Sequence, residues 1–255
     1  MAEAKVRVLK DAESLSRAAA EFVAAFAAAA VLARGRFTLV LSGGGTPKRL
    51  YELLAGSPLV ESFPWKNCLV FWGDERFVPP EHPESNYGMT RSAMLDRVPL
   101  PQENIFPIPT VGVPSAQAAA RNYAAMLAEV FAEGGPEIRS GKPEFPSFDL
   151  VLLGIGADGH TASLFPGDPA LGEKSSWTAA VKAPPAYAVT DRITLTLPVI
   201  NSASCVIFLA AGGSKREVVG PILRDREKAA SRFPAARVDP KSGELYWFLD
   251  TSAAS

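Results

Sequence analysis

The chain has 255 residues, 47% of them hydrophobic and 21% charged, which suits a single large folded unit with a substantial core and excludes a disordered chain. Its 26 basic and 27 acidic residues nearly cancel to a formal charge of -1, and long tracts of one sign are absent, so nucleic acid is not expected as a main partner. The two cysteines, Cys68 and Cys205, lie inside apolar runs and are expected to be buried free thiols of a cytoplasmic protein.

The opening residues 5–9 alternate charged and branched side chains, a strand pattern rather than the apolar core of a signal peptide. The alanine-rich stretch 18–33 is interrupted by Glu21 and holds no uninterrupted apolar run of 18 residues, so it is expected to pack on a sheet and not to enter a membrane. A helix over 15–32, a strand at 37–41, a helix from 47 to 54 and a strand at 68–72 follow, and this βαβαβ order implies parallel strands with right-handed crossovers. Beyond a Pro-rich polar loop come a helix near 87–95, a short strand near 105–108 and a helix from 115 to 131, then a turn-rich connector at 134–143. The run 148–153 has almost no polar face, as a central parallel strand should. Strands at 178–181, 192–197 and 205–210, a helix from 215 to 223 and an aromatic strand at 245–249 complete the chain. The alternation in 192–197 suggests one face open to water. The fold class expected is α/β: a three-layer, open, mostly parallel sheet flanked by helices, Rossmann-like, in one catalytic domain (1–255) with a small subsidiary lobe around 165–200.

Four segments can carry chemistry, each at the end of an expected strand. Ser42-Gly43-Gly44-Gly45-Thr46-Pro47 runs from a strand into a helix, where glycines let backbone N–H groups approach a phosphate at a helix N-terminus. It lacks the spacing of a dinucleotide fingerprint and the Lys-Ser/Thr ending of a nucleotide-triphosphate loop. Trp72-Gly73-Asp74-Glu75-Arg76 offers Arg76 to an anion or a developing oxyanion and Asp74 to a water or a proton. Gly154-Ile155-Gly156-Ala157-Asp158-Gly159-His160 delivers one of two histidines, with Asp158 near enough to orient the ring; the other, His82, is flanked by prolines and reads as exposed. Gly212-Gly213-Ser214-Lys215 places a lysine at a helix start, unfavourable unless an anion shares the site, with Arg216 as a less certain neighbour. No metal-ligand spacing and no Gly-x-Ser-x-Gly elbow occurs, so water is the expected nucleophile and no metal or cofactor is expected.

Together these blocks, with Ser85-Asn86-Tyr87 and the continuation Thr161-Ala162-Ser163-Leu164-Phe165-Pro166, resemble the signature blocks of the 6-phosphogluconolactonase family over essentially the full length. The resemblance implies hydrolysis of 6-phospho-D-glucono-1,5-lactone to 6-phosphogluconate, in the oxidative pentose phosphate pathway, with His160 as general base and Asp158 as its orienting partner. It implies that Ser42, Gly43, Gly44, Gly45, Thr46, Arg49 and Lys215 locate the phosphate, with Arg76 and Asp74 near the lactone, and a small phosphorylated sugar lactone as partner, with neither nucleic acid nor membrane. Glucosamine-6-phosphate deaminases of the wider superfamily share three blocks, but theirs continues into Phe-Asn-Glu-Pro, and the position of that glutamate is Phe165 here. A deaminase-like enzyme and a non-catalytic sugar-phosphate-binding protein are the alternatives.

Overall fold

The computed structural model describes residues 2–133 and 145–254; the connector expected at 134–143 lies outside the described residues. Ten strands are described: β1 (Ala4–Leu9), β2 (Phe37–Leu41), β3 (Cys68–Trp72), β4 (Asp74–Arg76), β5 (Ile105–Phe106), β6 (Leu150–Leu153), β7 (Thr178–Lys182), β8 (Asp191–Leu195), β9 (Cys205–Ala210) and β10 (Glu244–Asp250). The longer helices are numbered α1 (Ala12–Arg34), α2 (Gly45–Leu54), α3 (Asn86–Ala93), α4 (Ala116–Glu133) and α5 (Arg216–Arg224).

Seven strands form one sheet in the order β1-β10-β9-β6-β2-β3-β5, and every pairing in it is parallel. Its central strands β2, β6 and β9 are buried along their whole length, as β-branched and leucine-rich runs must be when both faces are covered. The chain builds β3 and β5 on one side of β2, whereas β6, β9, β10 and β1 lie on the other. Order therefore reverses between β2 and β6, and open sheets place ligands at the carboxyl ends of strands flanking such a point.

α1 begins on an Asp11 cap that accepts from Ser14 N at 2.8 Å and ends where Gly35, at φ 74°, turns the chain. By length and composition this helix could cross a membrane, but its Leu15, Ala19, Ala20, Val23 and Ala27 stripe is fully buried in the core it shares with the sheet. Both cysteines are free and buried, and burial holds the Cys205 thiol up at about 12 and raises Cys68 as well.

Asp74–Arg76, expected as loop, forms a strand of a second, antiparallel sheet in the order β4-β8-β7. The expectation of a water-facing side for 192–197 is overturned, because Arg192, Ile193, Thr194 and Leu195 are all buried. Ile193 and Leu195 join the common hydrophobic core, while Thr194 Oγ1 accepts from Ser163 N and Arg192 turns into a cavity. The alternation was real, but its polar face meets protein partners instead of solvent.

Candidate active site

All four sequence motifs emerge from the carboxyl ends of four neighbouring strands, in the order β9, β6, β2 and β3. Two of these strands end against a buried tyrosine hydroxyl that replaces the missing ladder partner. Tyr51 accepts from Ser42 N and donates to Ser42 O, both at 2.8 Å, and Tyr123 does the same for Trp72 at 3.0 and 2.9 Å. Burial pushes both phenols well above their ordinary range, which keeps the hydroxyls able to donate.

Between the strand ends lies a cavity of about 360 Å3, lined by Ser42 to Pro47, Asp74, Arg76, Gly156, His160, Tyr187, Arg192 and Lys215 among others. That volume suits a phosphorylated monosaccharide-sized ligand. A larger, shallower groove of about 570 Å3 between α4 and β7 has alanines for half of its lining and holds none of the motif residues.

The imidazole is fixed by a tight turn. Gly156 N donates to His160 O at 2.9 Å and Gly159 N to Gly156 O at 3.1 Å, folding the carboxylate of Asp158 back onto the ring. Asp158 Oδ1 lies 2.6 Å from His160 Nδ1 and accepts from His160 N at 3.1 Å. Glycine is required here for space and for backbone shape: a Cβ at Gly156 would sit 2.0 Å from Nδ1, and Gly159, at φ +81°, faces Phe233. Burial raises the Asp158 carboxyl, but the hydrogen bonds and charge of His160 outweigh it and leave the group below its ordinary range. Phe165 is tilted against the imidazole with ring centroids 4.7 Å apart, and Tyr187 meets it edge-on at 5.8 Å.

Asp74 lines the cavity with both oxygens engaged: Ser163 Oγ donates to Oδ2 at 2.6 Å and Asn86 Nδ2 approaches Oδ1 at 3.3 Å. Its neighbour Glu75 is buried, which raises its pKa against the backbone donors of Tyr87, Asn86 and Arg76. Those donors include the first amides of α3, a favourable place for a carboxylate. Asn86 also fills the space beside Gly43, where a Cβ would come within 2.0 Å of its Oδ1.

Arg76 donates to Glu84 O at 2.6 Å and lies 3.4 Å from the Glu84 carboxylate, while its buried Nε has no acceptor among the described residues. Directly across the β4–β8 ladder stands Arg192, 3% exposed, whose Nε donates to Val189 O at 2.9 Å. Desolvation, followed by the charge of Arg76, lowers the Arg192 pKa. Sequence reasoning missed Arg192 and Tyr187. The register that sets Arg192 opposite Arg76 was the signal, and it is invisible until β4 is known to be a strand.

α2 begins at Gly45 with Gly44, at φ 105°, as an N-cap that supplies no side-chain hydrogen bond. No side chain caps this helix start, which lines the cavity in the way that suits an anion. Arg49, expected at the phosphate, is not among the cavity-lining residues: it is bound to both oxygens of Glu13 at 2.7 and 2.9 Å and to Glu52 at 3.1 Å. One turn into α2 its side chain leaves the helix on the face toward α1, away from the open amides. Lys215 lines the cavity; Arg216 does not. His82 is exposed and accepts from Glu84 N at 3.1 Å.

A family model described as Glucosamine-6-phosphate isomerases/6-phosphogluconolactonase matches residues 10–247. The chain belongs to this family. A 6-phosphogluconolactonase of Synechocystis sp. is 44% identical over 226 residues, covering 88% of this chain and 86% of that protein. One from Nostoc sp. is 40% identical over 250 residues, covering 98% and 97%. Among solved structures, the 6-phosphogluconolactonase from Trypanosoma cruzi matches with a TM-score of 0.85 at 30% identity, covering 99% of this chain and 97% of that one. A monomeric glucosamine-6-phosphate deaminase matches at a TM-score of 0.78 and 21% identity, covering 98% of each chain, a likeness of fold alone. The isomerase/lactonase family thus has the mostly parallel α/β sheet expected from the sequence. Within its third block, Phe165 packs as an apolar wall on the imidazole.

Proposed function

We propose that the chain hydrolyses 6-phospho-D-glucono-1,5-lactone to 6-phosphogluconate with a water activated by His160. The observation that carries this reading is the 2.6 Å contact between Asp158 Oδ1 and His160 Nδ1 at the wall of a cationic cavity. With Nδ1–H donated to the carboxylate, Nε2 is the unprotonated nitrogen and can take a proton from water as it attacks C1. The negative charge that develops on the carbonyl oxygen calls for donors, which Arg76, Arg192 and backbone amides supply. Collapse of the tetrahedral intermediate breaks the bond from C1 to the ring oxygen, and the imidazolium returns its proton to that oxygen.

The phosphate serves to locate the substrate, and the open amides of α2 with Thr46 and Lys215 suit it. Arg49 has no part in this, being held by Glu13 and Glu52. Asp74 acts as a positioning residue, since Ser163 and Asn86 occupy its oxygens. The identities with named lactonases and the apolar Phe165, where the deaminase block carries a glutamate, favour lactone hydrolysis over deamination.

The test is a lactonase assay on freshly made phosphorylated lactone, corrected for spontaneous opening. His160→Asn and His160→Ala are expected to lose roughly 100-fold or more of the enzyme-dependent kcat. Lys215→Ala should chiefly raise KM. Full activity in both histidine variants would refute the assignment, and release of ammonia from glucosamine 6-phosphate would favour the deaminase reading.

A further inference from the structure

The tip of the hairpin between β7 and β8 reaches over the cavity and carries Tyr187. The tip is held by its own backbone: Ala183 N donates to Thr190 O at 2.7 Å and Tyr187 N to Pro184 O at 3.0 Å. The Arg192 guanidinium lies over the Tyr187 ring, 5.5 Å from the ring centroid. The same ring also meets the imidazole of His160, edge-on, and the ring of Phe165, at 5.8 and 5.4 Å between centroids. The Tyr187 hydroxyl is 3.3 Å from His160 Nδ1, the atom bound to Asp158.

This placement matters because of what each charge lacks. Arg76 has the Glu84 carboxylate at 3.4 Å, whereas among the described residues Arg192 has a backbone carbonyl and an aromatic face but no carboxylate. A buried guanidinium without a carboxylate is a stronger claimant for Asp158 than a neutral imidazole, because its fork can bind both oxygens and its charge is permanent. The charged groups lining the cavity are Arg76 and Asp74 from β4, Arg192 from β8 and Lys215 before α5; Asp158, from the turn after β6, stands behind His160, and Glu84 beside Arg76 also acts on Arg192. Asp74 is held by Ser163 and Asn86 and Glu84 by Arg76, whereas both hydrogen bonds of Asp158 to His160 use Oδ1, which leaves Oδ2 as the oxygen a guanidinium would seek.

We propose that Tyr187 is a positioning residue that acts as a spacer, its ring keeping the Arg192 guanidinium from capturing Asp158 and so preserving the hydrogen bond that orients His160. The phenol's own titration agrees with this location: burial and the charge of Asp158 raise its pKa, and the charges of Arg192 and Arg76 oppose that rise. The ring, not the hydroxyl, does the spacing, so phenylalanine should substitute and alanine should not. Arg192 keeps its stacking partner in the first case and becomes free to swing toward the dyad in the second.

This inference rests on the reading of Asp158 and His160 as the reacting pair, and its test therefore includes a readout that needs no turnover. The chain has two histidines, and His82 Nδ1 accepts a hydrogen bond from Glu84 N, so a strongly downfield ring N–H proton resonance would belong to His160. In full-length protein with isotope-labelled histidine, that resonance is expected in the wild type and in Tyr187→Phe, and lost in Tyr187→Ala. The double variant Tyr187→Ala/Arg192→Met should regain it, which separates capture by Arg192 from simple exposure to water. In the lactonase assay Tyr187→Ala should lose on the order of 10- to 100-fold in kcat with a smaller change in KM, and Tyr187→Phe should stay within about threefold of wild type. Retention of the resonance in Tyr187→Ala, its continued loss in the double variant, or equal damage from phenylalanine and alanine would each overturn the spacer role. An inactive wild type with this resonance pattern intact would instead count against the lactonase reading alone.

Discussion

At the scale of single residues, the site depends on two atoms that a two-residue separation in sequence does not bring together by itself. Asp158 reaches Nδ1 of His160 because Gly156 leaves room for both side chains and Gly159 adopts φ +81°. The motif Asp-Gly-His announced this pair; the close approach of Phe233 to Gly159 and the tilted contact of Phe165 with the ring come from packing that the motif does not show. Asp158→Asn keeps the shape of the side chain but lets the amide present a donor to Nδ1, favouring the wrong tautomer. We expect kcat to fall by about 100-fold or more, read in the lactonase assay. The same variant has a pH signature in stability. Because the folded-state pKa of Asp158 is lowered, its contribution is present above the unfolded carboxylate value of about 4 and is lost as pH falls through the lower folded value. Urea denaturation of wild type and variant across acid pH should therefore show a stability gap at neutral pH that closes below about pH 4.

At the scale of elements, strand ends are where the sequence was least able to speak. Asp74-Glu75-Arg76 has three charged residues in a row and reads as a loop, yet it forms β4, where both carboxylates find donors and only the buried Nε of Arg76 is left without an acceptor among the described residues. Glu75 takes amides at the start of α3, and Ser85 both caps that helix through Gly88 N and donates to Glu75. A similar buried carboxylate ties the opposite end of the main sheet. Asp149, just before β6, accepts from Thr38 N and Thr38 Oγ1 at 2.7 and 2.9 Å and from Arg34 at 2.5 Å. It joins the last residue of α1 to β2 and β6, at the end of the strands far from the cavity. Asp149→Ala leaves buried donors unmet and should cost roughly 2–3 kcal/mol in urea denaturation. KM in the folded variant should be unchanged; a variant as stable as the wild type would show that this junction contributes little.

At the scale of the whole molecule, a net charge of -1 conceals a strongly uneven distribution. Arg76, Arg192 and Lys215 converge on one cavity, with the open end of α2 adding its dipole, while the arginine nearest in sequence, Arg49, is neutralised outside it. An anionic substrate is thus attracted by a local field that bulk composition does not report. Raising salt should weaken this attraction, so KM for the phosphorylated lactone should rise severalfold between low and about 0.5 M ionic strength with kcat little changed. A KM insensitive to salt would mean that steric fit and neutral hydrogen bonds dominate recognition.

Hydrophobic periodicity and glycine placement determined by themselves the parallel α/β sheet and the strand-end location of the motifs, and they set Asp158 within reach of His160 should the turn fold back. These are local properties, set by which residues can be buried on both faces of a strand and which backbones can turn sharply behind it. Only the tertiary structure decided that Arg49 turns away to Glu13, that Arg192 stands opposite Arg76, and that the Tyr187 ring meets both Arg192 and His160. Each of those outcomes depends on which distant carboxylate, carbonyl or ring lies within reach of a long side chain. That is fixed by the register of β4 against β8 and the packing of α1 against α2, neither of which leaves a periodic trace in the sequence.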